Sequence, residues 1–306
     1  MTLINEIIGT FISAIVLGSL YSIMSMGLTL SWGTLKIFNF THGIAVVFCA
    51  YVAWYTLLPN HPYASPGFSY PGLGLGYAVA LPLVLAMGLL LGAIIEKVAI
   101  EPIAFKPDID VKAIVSTLSV GIIIQNVLLI IFGARWKQIP PLLEGVLEIG
   151  SINISYQKMI ILVTSLAILV FTHFFLKKTK SGMAMRAVAQ DREASLIVGI
   201  DVKKIFLYVI ALSVALASLA GVLLGSLFFI TPTMGGDPLF KSFVVIVLGG
   251  LGSIKGTIVS AYILGMVEAF TALFLGMFWL LPIGFLIMMI VLLLRPSGIF
   301  GIPERQ

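Results

Sequence analysis

Three sets of side chains in this sequence could do chemistry, and none has the make-up of a catalytic centre. The histidines His42, His61 and His173 lie far apart with no carboxylate-rich motif beside them, so neither an acid–base pair nor a zinc site is readable. Polar residues inside apolar runs form the second set: Asn39 and His42 at i, i+3, the neighbours Gln125 and Asn126, and Glu268, the one carboxylate deep in such a run. Lipid does not tolerate such groups cheaply, so each should face protein or water. Interhelical hydrogen bonding and contact with a moving solute are both open for all five. Glu268 is also the one good candidate for coupling an ion in a self-powered carrier. The third set is the glycine run Gly249, Gly250, Gly252 and Gly256, which encloses Lys255. It lacks the Gly-x4-Gly-Lys-Ser/Thr spacing that cradles phosphate, and nothing else in the chain supplies it. These glycines read as close backbone packing or as an irregular turn beside a pathway.

One further stretch is chemically distinctive because it is charged and helix-prone at once. Residues 177–204 carry Lys177, Lys178, Lys180, Arg186, Arg192, Lys203 and Lys204 against Asp191, Glu193 and Asp201. Ser181 suits a helix N-cap, Gly199 a helix end and Asp201 the cap of the following helix. A single helix between Ser181 and Gly199 would put Arg186, Gln190 and Glu193 on one face, with Met185, Ala189 and Leu196 on the next stripe. That surface reads either as a solvated connector or as a docking face for a soluble partner.

The elements that position these residues are membrane spans. Of 306 residues 60% are hydrophobic and 10% charged, against roughly 25% charged in soluble domains, and mean hydropathy is +1.15. Continuous apolar runs, without the alternation of a barrel, indicate an all-α, polytopic helical membrane protein. The net charge of +5 fits loops beside anionic headgroups, not a nucleic-acid surface. Cys49 is the single cysteine, so no disulfide framework is expected. No signal peptide is expected either, because the first six residues lack a basic side chain.

The runs fall at about 7–31, 37–58, 72–95, 113–132, 159–176, 205–230, 239–248, 257–275 and 277–294. That makes eight or nine transmembrane segments in one domain, 1–306, with 239–248 short enough to be a half-helix lining a cavity. Alternation over 146–154 suggests a small hairpin outside the membrane. No internal repeat is evident by eye. The Lys/Arg excess places loop 177–204 in the cytoplasm. Parity then puts the turns at Lys36 and Lys255, loop 96–112 and the C-terminal tail on the same side, and the N-terminus outside.

Several blocks then occur in a specific order: Asn39-Phe40-Thr41-His42-Gly43; Thr117-Leu118-Ser119-Val120-Gly121; Glu193-Ala194-Ser195 with Gly199 four residues on; Gly249-Gly250-Leu251-Gly252-Ser253; and Arg295-Pro296-Ser297-Gly298. Over about residues 9–301 the chain resembles the branched-chain amino acid permeases of ABC importers, the shorter of their two membrane subunits. The resemblance implies an inner-membrane importer with a second, different permease, two ATP-binding cassette subunits and an extracytoplasmic solute-binding protein. ATP and Mg²⁺ would sit on those partners, with no cofactor and no enzyme activity in this chain. It also implies that Arg186, Gln190, Glu193 and Gly199 belong to a coupling loop, where Ser195 replaces an alanine of the family's Glu-Ala-Ala…Gly pattern. The implied solutes are leucine, isoleucine and valine, while related permeases of the same build carry urea or short amides.

Overall fold

The computed structural model describes residues 2–58, 72–104, 106, 108–149 and 152–301. The proline-rich loop 59–71 with His61, and Arg305 in the tail, lie outside the described residues. Eleven α-helices and one hairpin follow in order: α1 (Thr2–Leu35), α2 (His42–Leu57), α3 (Tyr77–Ile95), α4 (Ile109–Phe132), β1 (Val146–Ile149), β2 (Ile152–Ser155), α5 (Tyr156–Lys178), α6 (Lys180–Gln190), α7 (Arg192–Ile197), α8 (Val202–Leu227), α9 (Gly236–Gly249), α10 (Ile254–Phe274) and α11 (Leu280–Leu294). Seven are long and apolar enough to cross a membrane once flanking turns are included. α3 runs on through a π-helical turn, Glu96–Ile100, so the first residues of the expected polar loop extend the helix. The hairpin expected near 146–154 is present, antiparallel with Val146 opposite Ser155.

The two short helices are each half of a broken crossing. α1 ends at Leu35, and the chain then doubles back without helix over residues 36–41. Where α2 begins, the His42 Nε2 bonds the carbonyl of Met24, 2.7 Å away. Met24 lies eleven positions before Leu35, about 16 Å back along the helix axis. α2 therefore starts inside the bundle and completes a crossing that the unwound stretch began. Residues 228–235 do the same after α8, and α9 starts where Gly235 packs on Ile44 and Gly43 on Leu239. The N-termini of α2 and α9 thus meet in the interior. The half-helix expected at 239–248 begins earlier, at Gly236. Its counterpart, expected as an unbroken span over 37–58, is helical only from His42 to Leu57, and residues 37–41 are non-helical.

An internal repeat emerges that the sequence does not display. α1 packs on α10 as α8 packs on α3; α2 packs on α8 as α9 packs on α1. The pairs α2 with α3 and α2 with α4 have their match in α9 with α10 and α9 with α11. Because successive crossings alternate in direction, α1–α4 and α8–α11 are related as inverted repeats, with α5–α7 and the hairpin between them.

Small residues set the spacing of both cross-repeat pairs, as expected where lipid gives no hydrophobic drive between helices. On α1 and α10, a Cβ at Gly265 would meet the backbone of Gly18 and Ala14, and one at Gly18 would meet Tyr262. On α3 and α8, Gly88 and Gly92 sit against Ser218 and Ala211 in the same way. Gly265→Leu should therefore force α1 from α10 and cost about 3 kcal/mol or more. The readout is the yield and melting temperature of detergent-solubilised protein; an unchanged melting temperature would refute this account of the interface.

Candidate functional site

The junction of the two half-helices holds the polar residues singled out first. Asn39 is fully buried, and its Oδ1 accepts from both the backbone N–H of Thr41, at 3.1 Å, and the Thr41 hydroxyl. A backbone N–H can only donate, so this bond fixes the amide orientation and leaves Nδ2 as a buried donor without a protein partner. His42 is likewise buried. Its Nε2 carries the proton because the Met24 carbonyl can only accept, and its ring packs against Gly27, where no Cβ would fit. Asn39 and His42 are brought together, joined by the His42 backbone N–H donating to the Asn39 carbonyl at 3.2 Å, while their side chains do separate work: His42 joins α2 to α1, and Asn39 shapes the turn into α2.

Beside Asn39 lies a cavity of about 290 Å³. Leu28 of α1, Phe38 and Phe40 of the unwound chain, and Phe285 of α11 close one side. Gly236, Leu239, Phe240 and Phe243 of α9 close the other. Those four α9 residues fall at i, i+3, i+4 and i+7, one helical face. Phe38 stacks on Trp32 with ring centroids 3.9 Å apart, and Phe240 lies 4.0 Å from Phe285. No sequence signal marks this aromatic cluster, because its members come from four separate segments.

The adjoining face of α9 carries Lys241, whose role the sequence did not reveal. Its Nζ lies 2.9 Å from Glu268 Oε2 and donates to the Tyr21 hydroxyl at 2.8 Å. Tyr21 in turn donates to the same Glu268 oxygen. One carboxylate, one ammonium and one phenol thus pin α10, α9 and α1 together. Gln125 and Asn126 are apart from this junction. They sit on α4, Gln125 half-buried and Asn126 exposed with its amide returned to the Ile122 carbonyl at 2.8 Å. The α4 residues that do touch the unwound chain are Thr117, which accepts from the Phe40 N–H, and Gly121, which lies against Thr41.

The glycine run packs backbone on backbone. Gly249 and Gly256 exclude each other's Cβ, while Gly250 and Gly252 have φ of +99° and +81° and abut Gly301 and Gly33. The ends of α1 and α9, the start of α10 and the C-terminal stretch through Gly301 therefore gather on one side.

The charged stretch 177–204 differs from expectation in one respect that matters. It forms two helices, not one, because Asp191 breaks it: the residue is extended, φ −154°, and its carboxylate accepts from the Ala194 N–H at 3.0 Å. An aspartate gains more as an N-cap than within a helix. Arg186 and Gln190 stay on α6 and Glu193 moves to α7, all exposed, so no continuous face unites them. Thr179, not Ser181, caps α6 by accepting from Gly182. Gly199 ends α7 with φ +83°, and Asp201 caps α8, both as expected. The hydrogen bond from the Lys204 N–H holds the Asp201 carboxyl below its usual range.

Arg192 does the joining. Its guanidinium donates to the carbonyl of Leu35 at 3.2 Å and that of Ala104 at 3.4 Å, and stacks 4.7 Å from the Phe206 ring centre. α7 is thereby fastened to the ends of α1, α3 and α8, while Leu196, Ile197 and Val198 project outward, Ile197 being 86% exposed. Periodicity could not single out Arg192, since its partners are two carbonyls distant in sequence.

The family described as "Branched-chain amino acid transport system / permease component" matches residues 10–294. The chain is 31% identical to the high-affinity branched-chain amino acid transport system permease protein LivH of Escherichia coli, over 96% of this chain and 95% of that one. It is also 31% identical to BraD of Pseudomonas aeruginosa, a protein of the same description, over 96% of each. A probable branched-chain amino acid transport permease of Methanocaldococcus jannaschii is 29% identical over 96% of this chain and 92% of its own. No solved structure matches.

Removing one partner of the intramembrane ion pair strands the other, so Lys241→Met should cost about 3–5 kcal/mol. Lys241→Met combined with Glu268→Leu should recover most of that loss. Thermal melting of the two purified variants decides: equal loss in single and double variants would mean the pair is not what holds α9.

Proposed function

Because this chain belongs to the family of branched-chain amino acid transport permeases, we propose that it is a translocating membrane subunit of an ATP-driven importer for leucine, isoleucine and valine. It works with a second, different permease, two ATP-binding cassette subunits that carry the ATP and Mg²⁺, and an extracytoplasmic solute-binding protein. The observation that carries the ATP-driven part is the α6–α7 segment. A permease without a phosphate-binding loop draws on ATP through a surface that its ATPase can grip and that is firmly joined to the spans. α7 has both properties: three exposed apolar side chains, Leu196 to Val198, above a shallow groove with Asp201, Val202 and Lys203, and the Arg192 anchor behind them. Apolar contacts of this kind hold a docked helix, and the surrounding Arg186, Gln190 and Glu193 orient it.

An ion-driven carrier is disfavoured because Glu268, the carboxylate such coupling would need, is committed to Lys241 and Tyr21. The basic excess of 177–204 supports a cytoplasmic α6–α7 segment and C-terminal tail, and an N-terminus outside, in a bacterial or archaeal cytoplasmic membrane.

Two measurements test this reading. A cysteine at Gln190, exposed on α6, should react with an impermeant thiol reagent only from the cytoplasmic side, while the buried Cys49 stays silent; labelling of intact cells from outside would invert the topology. Ile197→Asp and Gly199→Val should each lower copurification of the ATPase subunits about tenfold or more, one by placing a charge in the contact and the other by straining a left-handed position. Full copurification and normal solute-stimulated hydrolysis in both would reduce α7 to a connector.

A further inference from the structure

We infer that the exposed face of α4 is where the second permease packs, with a transmembrane helix of that subunit laid along Ser119, Ile122 and Asn126 and hydrogen-bonded to the Asn126 amide. The inference rests on the proposed function, which supplies a second permease, and adds to it the surface that receives that subunit.

The distribution of hydrophilic side chains over the outside of the bundle carries it. Across the seven spans, the described serine, threonine, asparagine and glutamine side chains are buried or half-buried with two exceptions, Ser119 and Asn126. Both stand on α4, a whole number of turns apart and so on one face. Counted back from the helix end at Phe132, Asn126 lies about 9 Å along the axis and Ser119 about 20 Å. Both are therefore within the hydrocarbon depth of a bilayer, where an exposed amide is costly. The contrast is α11, which is at least as bare of protein contact. Its exposed side chains, Leu281, Phe285, Leu286, Met289 and Leu293 among them, are apolar, as lipid requires.

Ser119 Oγ donates to the Val115 carbonyl at 2.8 Å, which hides its one proton within the helix. The Asn126 amide cannot be hidden in the same way. One Nδ2 proton goes to the Ile122 carbonyl at 2.8 Å, and a carbonyl only accepts, so the bond fixes which side of the amide is nitrogen. The second Nδ2 proton and the Oδ1 acceptor are left without a partner among the described residues. Lipid offers neither donor nor acceptor, whereas a facing helix with a polar side chain offers both. Val115, Ser119, Ile122 and Asn126 are all exposed and follow the 4-3-4 spacing of a coiled-coil seam, with Ser119 small enough to let a second helix close in. Of the partners in the importer, the cassette subunits and the solute-binding protein lie outside the bilayer, which leaves the second permease at this depth. The other side of α4 is occupied within the chain, by Phe40 at Thr117 and by Thr41 at Gly121. One helix thus stands between the second permease and the unwound stretch.

The test uses the complete importer, purified through a tag on this chain. A photoreactive benzophenone side chain at Ile122 should give, in the membrane, an adduct that contains the second permease, while the same probe at Leu293 on α11 should give none. Adducts with lipid alone, or equal yields from both positions, overturn the seam. An adduct with a second copy of this chain overturns the occupant and assigns the face to self-association. Asn126→Leu should lower copurification of the second permease about threefold to tenfold, the scale of one interhelical hydrogen bond in a membrane. Because the leucine faces outward, the melting temperature of this chain purified alone should not fall; Asn126→Gln, which keeps an amide, should restore part of the copurification. Full copurification with Asn126→Leu overturns the role of the amide, and a lowered melting temperature of the lone chain would make Asn126 a residue of its own fold. If the wild-type chain brings down no second permease while the cassette subunits are present, the proposed assembly itself falls and this seam with it.

Discussion

Every unwound peptide group within the bundle needs a partner, because lipid offers none. Two stretches bear that burden, and several of their N–H groups find partners on other elements or within the turn. In 36–41, the Lys36 N–H returns to Trp32, the Phe40 N–H reaches Thr117 on α4, and the Thr41 and His42 N–H groups are taken by Asn39. In 228–235, Phe228 returns to Leu224, Ile230 exchanges both bonds with Lys137, and Thr231 and Met234 close on each other. The loop before the hairpin thus supplies strand-like pairing for the second unwound stretch. Lys137 is itself buried, with its ammonium 4.5 Å from the Trp54 ring centre; burial and the neighbouring Arg135 lower its pKa.

The inverted repeats solve this problem twice but fasten their half-helices differently. α2 is held by a neutral hydrogen bond from His42 to the α1 backbone, with thirteen of its sixteen residues buried. α9 is amphipathic, one face lining the aromatic cavity and the next bearing Lys241, so an ion pair to α10 and a phenol on α1 hold it. The C-terminal half of α9, Val244 to Gly249, is buried, so the ion pair fastens the less buried half that lies nearer the junction. An ion pair with a third hydrogen-bonding partner suits that place, since its geometry and pairing offset the desolvation of both charges.

What the sequence makes legible here is what local chemistry determines. Apolar run length locates the spans, alternation locates the hairpin, and Gly199 and Asp201 do at the end of α7 and the start of α8 what their side chains favour. Contacts between segments distant in the chain are not legible. Asp191 reads as one more charge in a helix until its carboxylate is seen capping α7, and Thr179 outcompetes Ser181 only through the geometry of the turn after α5. Residues 37–41 are apolar enough to pass for helix, and the His42–Met24 bond shows that the chain has turned back along α1 before α2 begins. Nothing local marks Lys241, and Glu268 reads as a lone carboxylate; each is explained by the other, 27 residues away. The repeat is not legible because its two halves share a pattern of contacts and no evident pattern of residues.

α1 is where these separate devices come together. Its Leu35 carbonyl is gripped by Arg192 of α7, its Met24 carbonyl by His42 of α2, and its Tyr21 hydroxyl by the Lys241–Glu268 pair on α9 and α10. The helix runs from Thr2 to Leu35 without a proline, and between Tyr21 and Leu35 its two glycines are packed, Gly27 by the Ser213 carbonyl and Gly33 by Gly252. From Leu35 to Met24 is about 16 Å of rise, and from Met24 to Tyr21 about 5 Å more. A load on the exposed face of α7 therefore meets a rigid rod at one end, and that rod holds both half-helices at the level of their junction. No soft element intervenes. The N-termini of α2 and α9 pack against each other at Gly43, where a Cβ would meet the Gly235 carbonyl, and at Gly235, which lies against Ile44, so the two are joined by direct close packing. Close packing makes such a junction change by discrete rearrangement and not by gradual deformation, which is the behaviour a gate on a transport pathway requires.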